Sequence, residues 1–232
     1  MERLNIGVDL DAIFEMQINE HNCYNPGLLL PFCQQLMGLN HQVVELFVFS
    51  MHDPSVSSIV FDSLSYYGLN INQLIFTGGE STVSYLHALE VEVYLSFDEK
   101  GIRQMKESGI LSGLLTRQGY KETLSFIFDH RLFLDEITYP GLGKWLPLIG
   151  YLQQQKYPIS VELMTTRTCS VDRLVLELFK ESNCKINAMC FIASGKGEDL
   201  IELYSPTVYF SACSQEALKP LPNAECILNI AF

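Results

Sequence analysis

Between residues 4 and 99 the chain has no lysine or arginine, while aspartate and glutamate recur throughout that stretch. A phosphate bound to this half would need a metal ion or backbone amides to balance its charge. A second half with Arg131, Arg167 and Lys196 could balance it directly. The formal net charge of −12 argues against nucleic-acid binding, because neutralising a phosphate backbone takes clustered Lys and Arg. No run approaches ~18 apolar residues, so no membrane span is expected. Glu2, Arg3 and the alternating polar residues after them do not read as a signal peptide, and a cytoplasmic location is expected. The seven cysteines share no CxxC or Cys/His spacing, which suggests buried, reduced thiols and no zinc site.

What is present reads as a globular α/β chain: 232 residues, 48% hydrophobic and 18% charged. Short apolar β-type runs alternate with longer helix-like segments, the pattern of a mostly parallel sheet covered by helices. Strands are expected near 4–9, 45–50, 73–77, 92–96, 123–128, 160–165, 187–193, 207–211 and 225–230. Helices are expected near 27–40, 55–66, 82–89, 99–108, 144–156, 171–182 and 197–203. Pro26 and Gly27 are read as the start of the first helix.

Placed side by side, the strand ends form two series. "IGVDLDAIF", "LFVFSMHD", "LIFTGGES" and "EVYLSFDE" make the first, and "SFIFDHRLF", "VELMTTRT", "MCFIASGKGED" and "TVYFSAC" the second. Two related α/β halves follow, 1–116 and 117–232, with a junction around 111–122.

A buried strand that ends in D-x-D, as at Asp9 and Asp11, is how phosphohydrolases of the haloacid-dehalogenase type present their nucleophile. That chemistry needs an attacking carboxylate and a second carboxylate two residues on as proton donor. A Ser/Thr hydroxyl and a Lys hold the phosphoryl group, and further carboxylates hold Mg²⁺. The first half offers Asp9, Asp11, Ser50 and Asp98 but no lysine before position 100. The second offers Asp129, Thr165 and Lys196, with Arg131 where the proton donor would stand. Asp9, Asp11 and Asp98 read either as a possible second metal site or as turn-capping carboxylates. Thr77, Gly78 and Gly79 in "TGGES" read either as a substrate-binding turn whose backbone amides approach a ligand or as a plain left-handed turn.

"YYGLNINQLIFTGGESTVSYLHALEVEVYLSFDEKGIRQMKESGI", with "FIFDHRLFLDE", "ELMTTRT" and "ASGKG", resembles the cytosolic 5'-nucleotidase I family. The resemblance runs from about residue 4 to 213. It implies a haloacid-dehalogenase-like (Rossmann-type) fold and Mg²⁺-dependent hydrolysis of nucleoside monophosphates. The family's catalytic F-D-G-D falls on Phe128-Asp129-His130-Arg131, so the nucleophile position is Asp129, also a metal ligand, and the proton donor is replaced by Arg131. Its threonine motif falls on Thr165, with Thr166 and Arg167 beside it for substrate binding, and its lysine falls on Lys196. Its F-F-D-D falls on Tyr209-Phe210-Ser211-Ala212, where both acids are gone. Asp9 and Asp11 are not part of the family's pattern.

Two readings stay open. One is a Mg²⁺-dependent 5'-nucleotidase, possibly diverged, acting on a nucleoside monophosphate or another small phosphorylated ligand. The other is a catalytically decayed nucleotide-binding or protein-interaction member of the same family.

Overall fold

The computed structural model describes residues 2–39, 42–71, 73–116, 123–133, 139–166, 173–192, 207–211 and 224–228. Up to residue 115 the chain forms β1 (Leu4–Asp9), α1 (Leu10–Ile13), β2 (Phe14–Ile18), β3 (Tyr24–Pro26), α2 (Leu30–Met37), β4 (Val44–Ser50) and α3 (Ser57–Tyr66). It continues through β5 (Gln73–Phe76), α4 (Val83–Ala88), β6 (Val93–Ser96), α5 (Glu99–Glu107) and β7 (Leu111–Leu115). Then follow β8 (Leu124–Asp129), α6 (Pro140–Gln154), β9 (Ile159–Thr166), α7 (Arg173–Glu181), β10 (Ala188–Ile192), β11 (Val208–Phe210) and β12 (Ala224–Leu228).

Ten strands join one sheet in the order β12-β10-β9-β8-β11-β7-β6-β1-β4-β5; β2 and β3 pair separately as a hairpin. The sheet is mostly parallel and carries helices, so the α/β expectation holds. Within it, β6-β1-β4-β5 and β11-β8-β9-β10 repeat one order, each set parallel throughout. Between the sets lies β7, parallel to β6 and antiparallel to β11. The carboxyl ends of the two sets therefore open at opposite edges of the sheet. Four inter-strand steps separate β1 from β8, about 19 Å at roughly 4.8 Å each.

Burial explains why these strands read so clearly. Ile6, Val8, Phe126, Val161 and Phe210 are fully enclosed, as continuous apolar runs in parallel sheets are. Trp145 of α6 meets Phe32 of α2, Phe126 of β8 and Phe210 of β11 at 5.8–6.1 Å between ring centres. A helix from the second part of the chain thus shares one core with a helix from the first. On the other face Phe47, Phe49, Leu86, Tyr94, Ile102 and Met105 pack under α4 and α5.

Several element boundaries differ from expectation. The helix expected from residue 27 begins at Leu30 with Pro31 in its first turn, while Pro26 ends β3. Gly27 instead packs on the backbone of α1, where an added Cβ would lie 2.8 Å from the Ile13 carbonyl carbon. The expected junction contains β7, whose Gly113 admits Val208, Leu95 and Phe210; a Cβ there would collide with Val208. The helix expected from 144 already starts at Pro140, since Pro suits the first turn. The helix expected over 197–203 lies outside the described residues. No helix among the described residues is long and apolar enough to cross a membrane.

Candidate active site

β1 delivers Asp9 to the edge where β4 and β6 also end, and the chain turns at once into α1. Asp9 caps that turn: its Oδ1 accepts from the Asp11 backbone N–H at 3.3 Å. Its Oδ2 accepts from the Ser96 hydroxyl at 2.8 Å, Ser96 being the last residue of β6. Ser96 Oγ in turn accepts from the Asp98 N–H at 2.9 Å, and Asp98 caps α5 by accepting from the Lys100 N–H at 3.1 Å. A continuous hydrogen-bonded chain thus runs from Asp9 to the first turn of α5.

Burial pushes the Asp9 carboxyl up to about 6. The Ser96 hydrogen bond opposes that rise, and the charges of Asp11 and Asp98 add to it. On β4, Ser50 is buried and its Oγ accepts from the His52 N–H at 3.2 Å. The His52 ring comes back to Asp11, with Nε2 2.7 Å from Oδ1. The β2–β3 hairpin also borders this edge, since Tyr24 is held above the ordinary phenol value by burial and by the Asp11 charge.

A cavity of about 580 Å³ opens here. It is lined by the carboxylates of Asp9, Asp11, Asp98 and Glu99, the cations Lys100 and Arg103, and the apolar Met51 and Phe97. The stretch without cations therefore has them at this edge, supplied by the helix that follows. Lys100, Arg103, Ser96 and His52 were missed in the sequence. The usable signal was the i, i+3 spacing of Lys100 and Arg103 directly after a strand end.

The other edge is built differently. Asp129 ends β8 and repeats the capping turn, its Oδ1 accepting from the Arg131 N–H at 3.0 Å. Arg131 then folds back: Nε lies 3.0 Å from Oδ1 and 3.1 Å from Oδ2, and Nη2 also bonds Oδ2. The Asp129 side chain is only 3% exposed. Thr165 is buried near the end of β9, and Thr166 closes that strand. Ser211 follows β11, buried, with no partner for its hydroxyl among the described residues. Arg167, Lys196 and Ala212 lie outside the described residues. Just after β5, Thr77 is buried and its backbone N–H donates to the Ser50 carbonyl at 2.8 Å, while Gly78 and Gly79 turn at φ +61° and +91°. None of these three residues lines the cavity.

The two edges differ toward a divalent cation. At Asp129 the donor set does not fit Mg²⁺, because a guanidinium already engages both oxygens and Ser211 stands where an acid is needed. At the other edge three carboxylates, Asp9, Asp11 and Asp98, line one cavity, and the charges of Asp11 and Asp98 raise Asp9 by repulsion. Among the described residues no three His, Cys, Asp or Glu side chains form a ready-made metal cluster. Mg²⁺ commonly takes only one or two carboxylates, completing its shell with waters and substrate phosphate.

A mostly parallel sheet covered by helices, with carboxylates gathered at its strand ends, defines a Rossmann-like α/β protein and is consistent with a haloacid-dehalogenase-like fold. The model of the 5'-nucleotidase family matches residues 7–136, more than half of the chain and both aspartate-ended turns, and the chain belongs to that family. No solved structure matches it.

Proposed function

We propose that this protein hydrolyses nucleoside monophosphates to nucleoside and phosphate with Mg²⁺, and that the reaction takes place at Asp9 and Asp11. The observation that carries this is the contrast between the edges. Asp9 and Asp11 face a cavity with cations in it, whereas both Asp129 oxygens are engaged by Arg131.

In this reading an Asp9 oxygen attacks phosphorus and the 5'-oxygen leaves with a proton from Asp11. Asp11, now a carboxylate, takes a proton from the water that attacks the aspartyl phosphate, which releases phosphate and restores Asp9. The Ser50 hydroxyl donates to a phosphoryl oxygen, its own oxygen being held by the His52 N–H. Asp9 and Asp98 would hold Mg²⁺, which when bound supplies positive charge to the phosphoryl oxygens. A carboxyl at about 6 is mostly ionised at neutral pH, as a nucleophile must be. The described cysteines, Cys23, Cys33, Cys184 and Cys190, are buried free thiols, which suits a reducing compartment such as the cytoplasm.

Phosphate release from a panel of nucleoside monophosphates with Mg²⁺ tests the reading in wild type, Asp9→Asn and Asp129→Asn. Release should vanish in Asp9→Asn and stay within a few-fold in Asp129→Asn. Absence of release from the wild type removes the hydrolase reading, and loss only in Asp129→Asn moves the reaction to the other edge. The Arg131–Asp129 pair favours a second reading, a nucleotide-binding protein without catalysis. Under it, calorimetry gives binding of the same nucleotides with no phosphate released.

A further inference from the structure

The proposed reaction needs positive charge on the phosphoryl group, and the sequence leading to this edge offers none. From residue 4 to 99 there is no Lys or Arg. The geometry points to Lys100 and Arg103 of α5 as the clamp that holds the substrate phosphate, an inference that rests on the reading of the Asp9 edge as the reacting centre.

Three observations carry it. Lys100 and Arg103 line the same cavity as Asp9 and Asp11. They stand one turn apart on one helix face, so both can address a single small anion. The backbone that carries them is tied to Asp9 by the Ser96 and Asp98 hydrogen bonds, which fix the start of α5 relative to the carboxylate.

Arg103 adds an unpaired buried donor. Its Nη2 pairs with Glu99, four residues earlier. Its Nε–H is buried and has no hydrogen-bond partner among the described residues. A buried donor left unpaired costs free energy, and a shift of the side chain that brings Nε–H to a phosphate oxygen would remove that cost. A guanidinium matches phosphate through its fixed fork of donors, while Lys contributes a compact charge.

The ligand class follows from the charge count. Four carboxylates and two cations line the cavity, so a phosphate dianion entering without a metal meets a net negative wall. Phosphate binding should therefore need Mg²⁺ as well as both cations.

Calorimetry with inorganic phosphate, on the whole chain and with Mg²⁺, tests the clamp apart from turnover. Lys100→Ala and Arg103→Ala should each weaken binding at least tenfold, and omission of Mg²⁺ should abolish it in the wild type. Arg103→Lys should recover only part of the affinity. Arg173→Ala, an exposed arginine paired with Glu177 on α7, should change nothing. Thermal melts identify any variant that fails to fold, and KM for a nucleoside monophosphate then serves as the second readout. Unchanged affinity in both alanine variants overturns the clamp, as does a wild type that binds no phosphate with Mg²⁺. If phosphate binding depends on both cations but no nucleotide is hydrolysed, the clamp stands and the hydrolase reading falls. If hydrolysis proceeds with KM unmoved in both variants, the hydrolase reading stands and the clamp falls.

Discussion

The guanidinium of Arg131 lies along the carboxylate of Asp129, two residues before it, and engages both of its oxygens. Asp9 caps its turn in the same way but has no cation on it: one oxygen accepts from a backbone amide and the other from the Ser96 hydroxyl. One turn geometry thus carries an internal ion pair at one edge of the sheet and a buried carboxylate at the other. The two aspartates should respond to substitution with opposite signs.

Removing either partner of the Asp129–Arg131 pair leaves an uncompensated charge or strips a buried carboxylate of its donors. Asp129→Asn and Arg131→Ala should each cost about 2–4 kcal/mol in urea or guanidinium unfolding. The lower part of that range reflects the 31% exposure of the arginine side chain. A loss below ~0.5 kcal/mol in both variants would mean that the pair contributes nothing to the fold.

Asp9 should behave the other way. Its folded value, about 6, lies above the ordinary 3.8, so the folded state holds the proton more tightly than the unfolded chain. Stability from this group is greatest at low pH, declines as pH rises from about 4 to about 6, and stays reduced above that. The gap corresponds to at most about 3 kcal/mol. Asp9→Asn should therefore gain about 1–3 kcal/mol at pH 7.5, a gain that fades toward pH 4, while phosphate release is lost. A plain turn cap would change little on the same substitution, since Asn caps as well as Asp.

Two glycines separate architecture from chemistry. At Gly27 an added Cβ meets backbone atoms of Ile13, Phe14 and Ala12 within 2.9 Å, so Gly27→Ala should cost about 1–3 kcal/mol. At Gly101 its nearest neighbour is the Asp98 carboxylate, 2.5 Å from Oδ2. Gly101→Ala should keep or slightly raise stability, because Ala favours a helix interior, yet displace Asp98. The Mg²⁺ concentration for half-maximal phosphate release should rise about tenfold.

His52 fixes Asp11 through the 2.7 Å contact from Nε2 to Oδ1. Without it the carboxylate loses the partner that sets its rotamer, and the transfer of a proton depends on placement. His52→Ala should lower kcat about tenfold with KM changed less than threefold, and His52→Gln should restore part of kcat. An equal fall in kcat/KM carried entirely by KM would assign His52 to substrate binding instead.

Most of the sheet was legible because its strands are buried on both faces and read as unbroken apolar runs such as "LFVFS" and "SFIFD". β7 was not, because Gly113 interrupts "LSGLL" and its need is visible only once Val208 and Leu95 press on it. The β2–β3 hairpin was missed for a related reason: beyond Phe14, most of β2 is exposed and carries no apolar pattern. At the site, the aspartates at strand ends could be named in advance. Lys100 and Arg103 could not be assigned to Asp9 from order alone, since ninety residues intervene and only the pairing of β1 with β6 brings α5 to that edge.

β7 also determines what each edge can become. Because it pairs parallel with one strand set and antiparallel with the other, the two aspartate turns share a scaffold but open at opposite edges. A residue change that closes one mouth, as an arginine does at Asp129, imposes no steric or electrostatic debt on the other, about 19 Å away across the sheet and facing the opposite way. Such a layout lets one doorway be sealed into masonry while the other stays open for traffic.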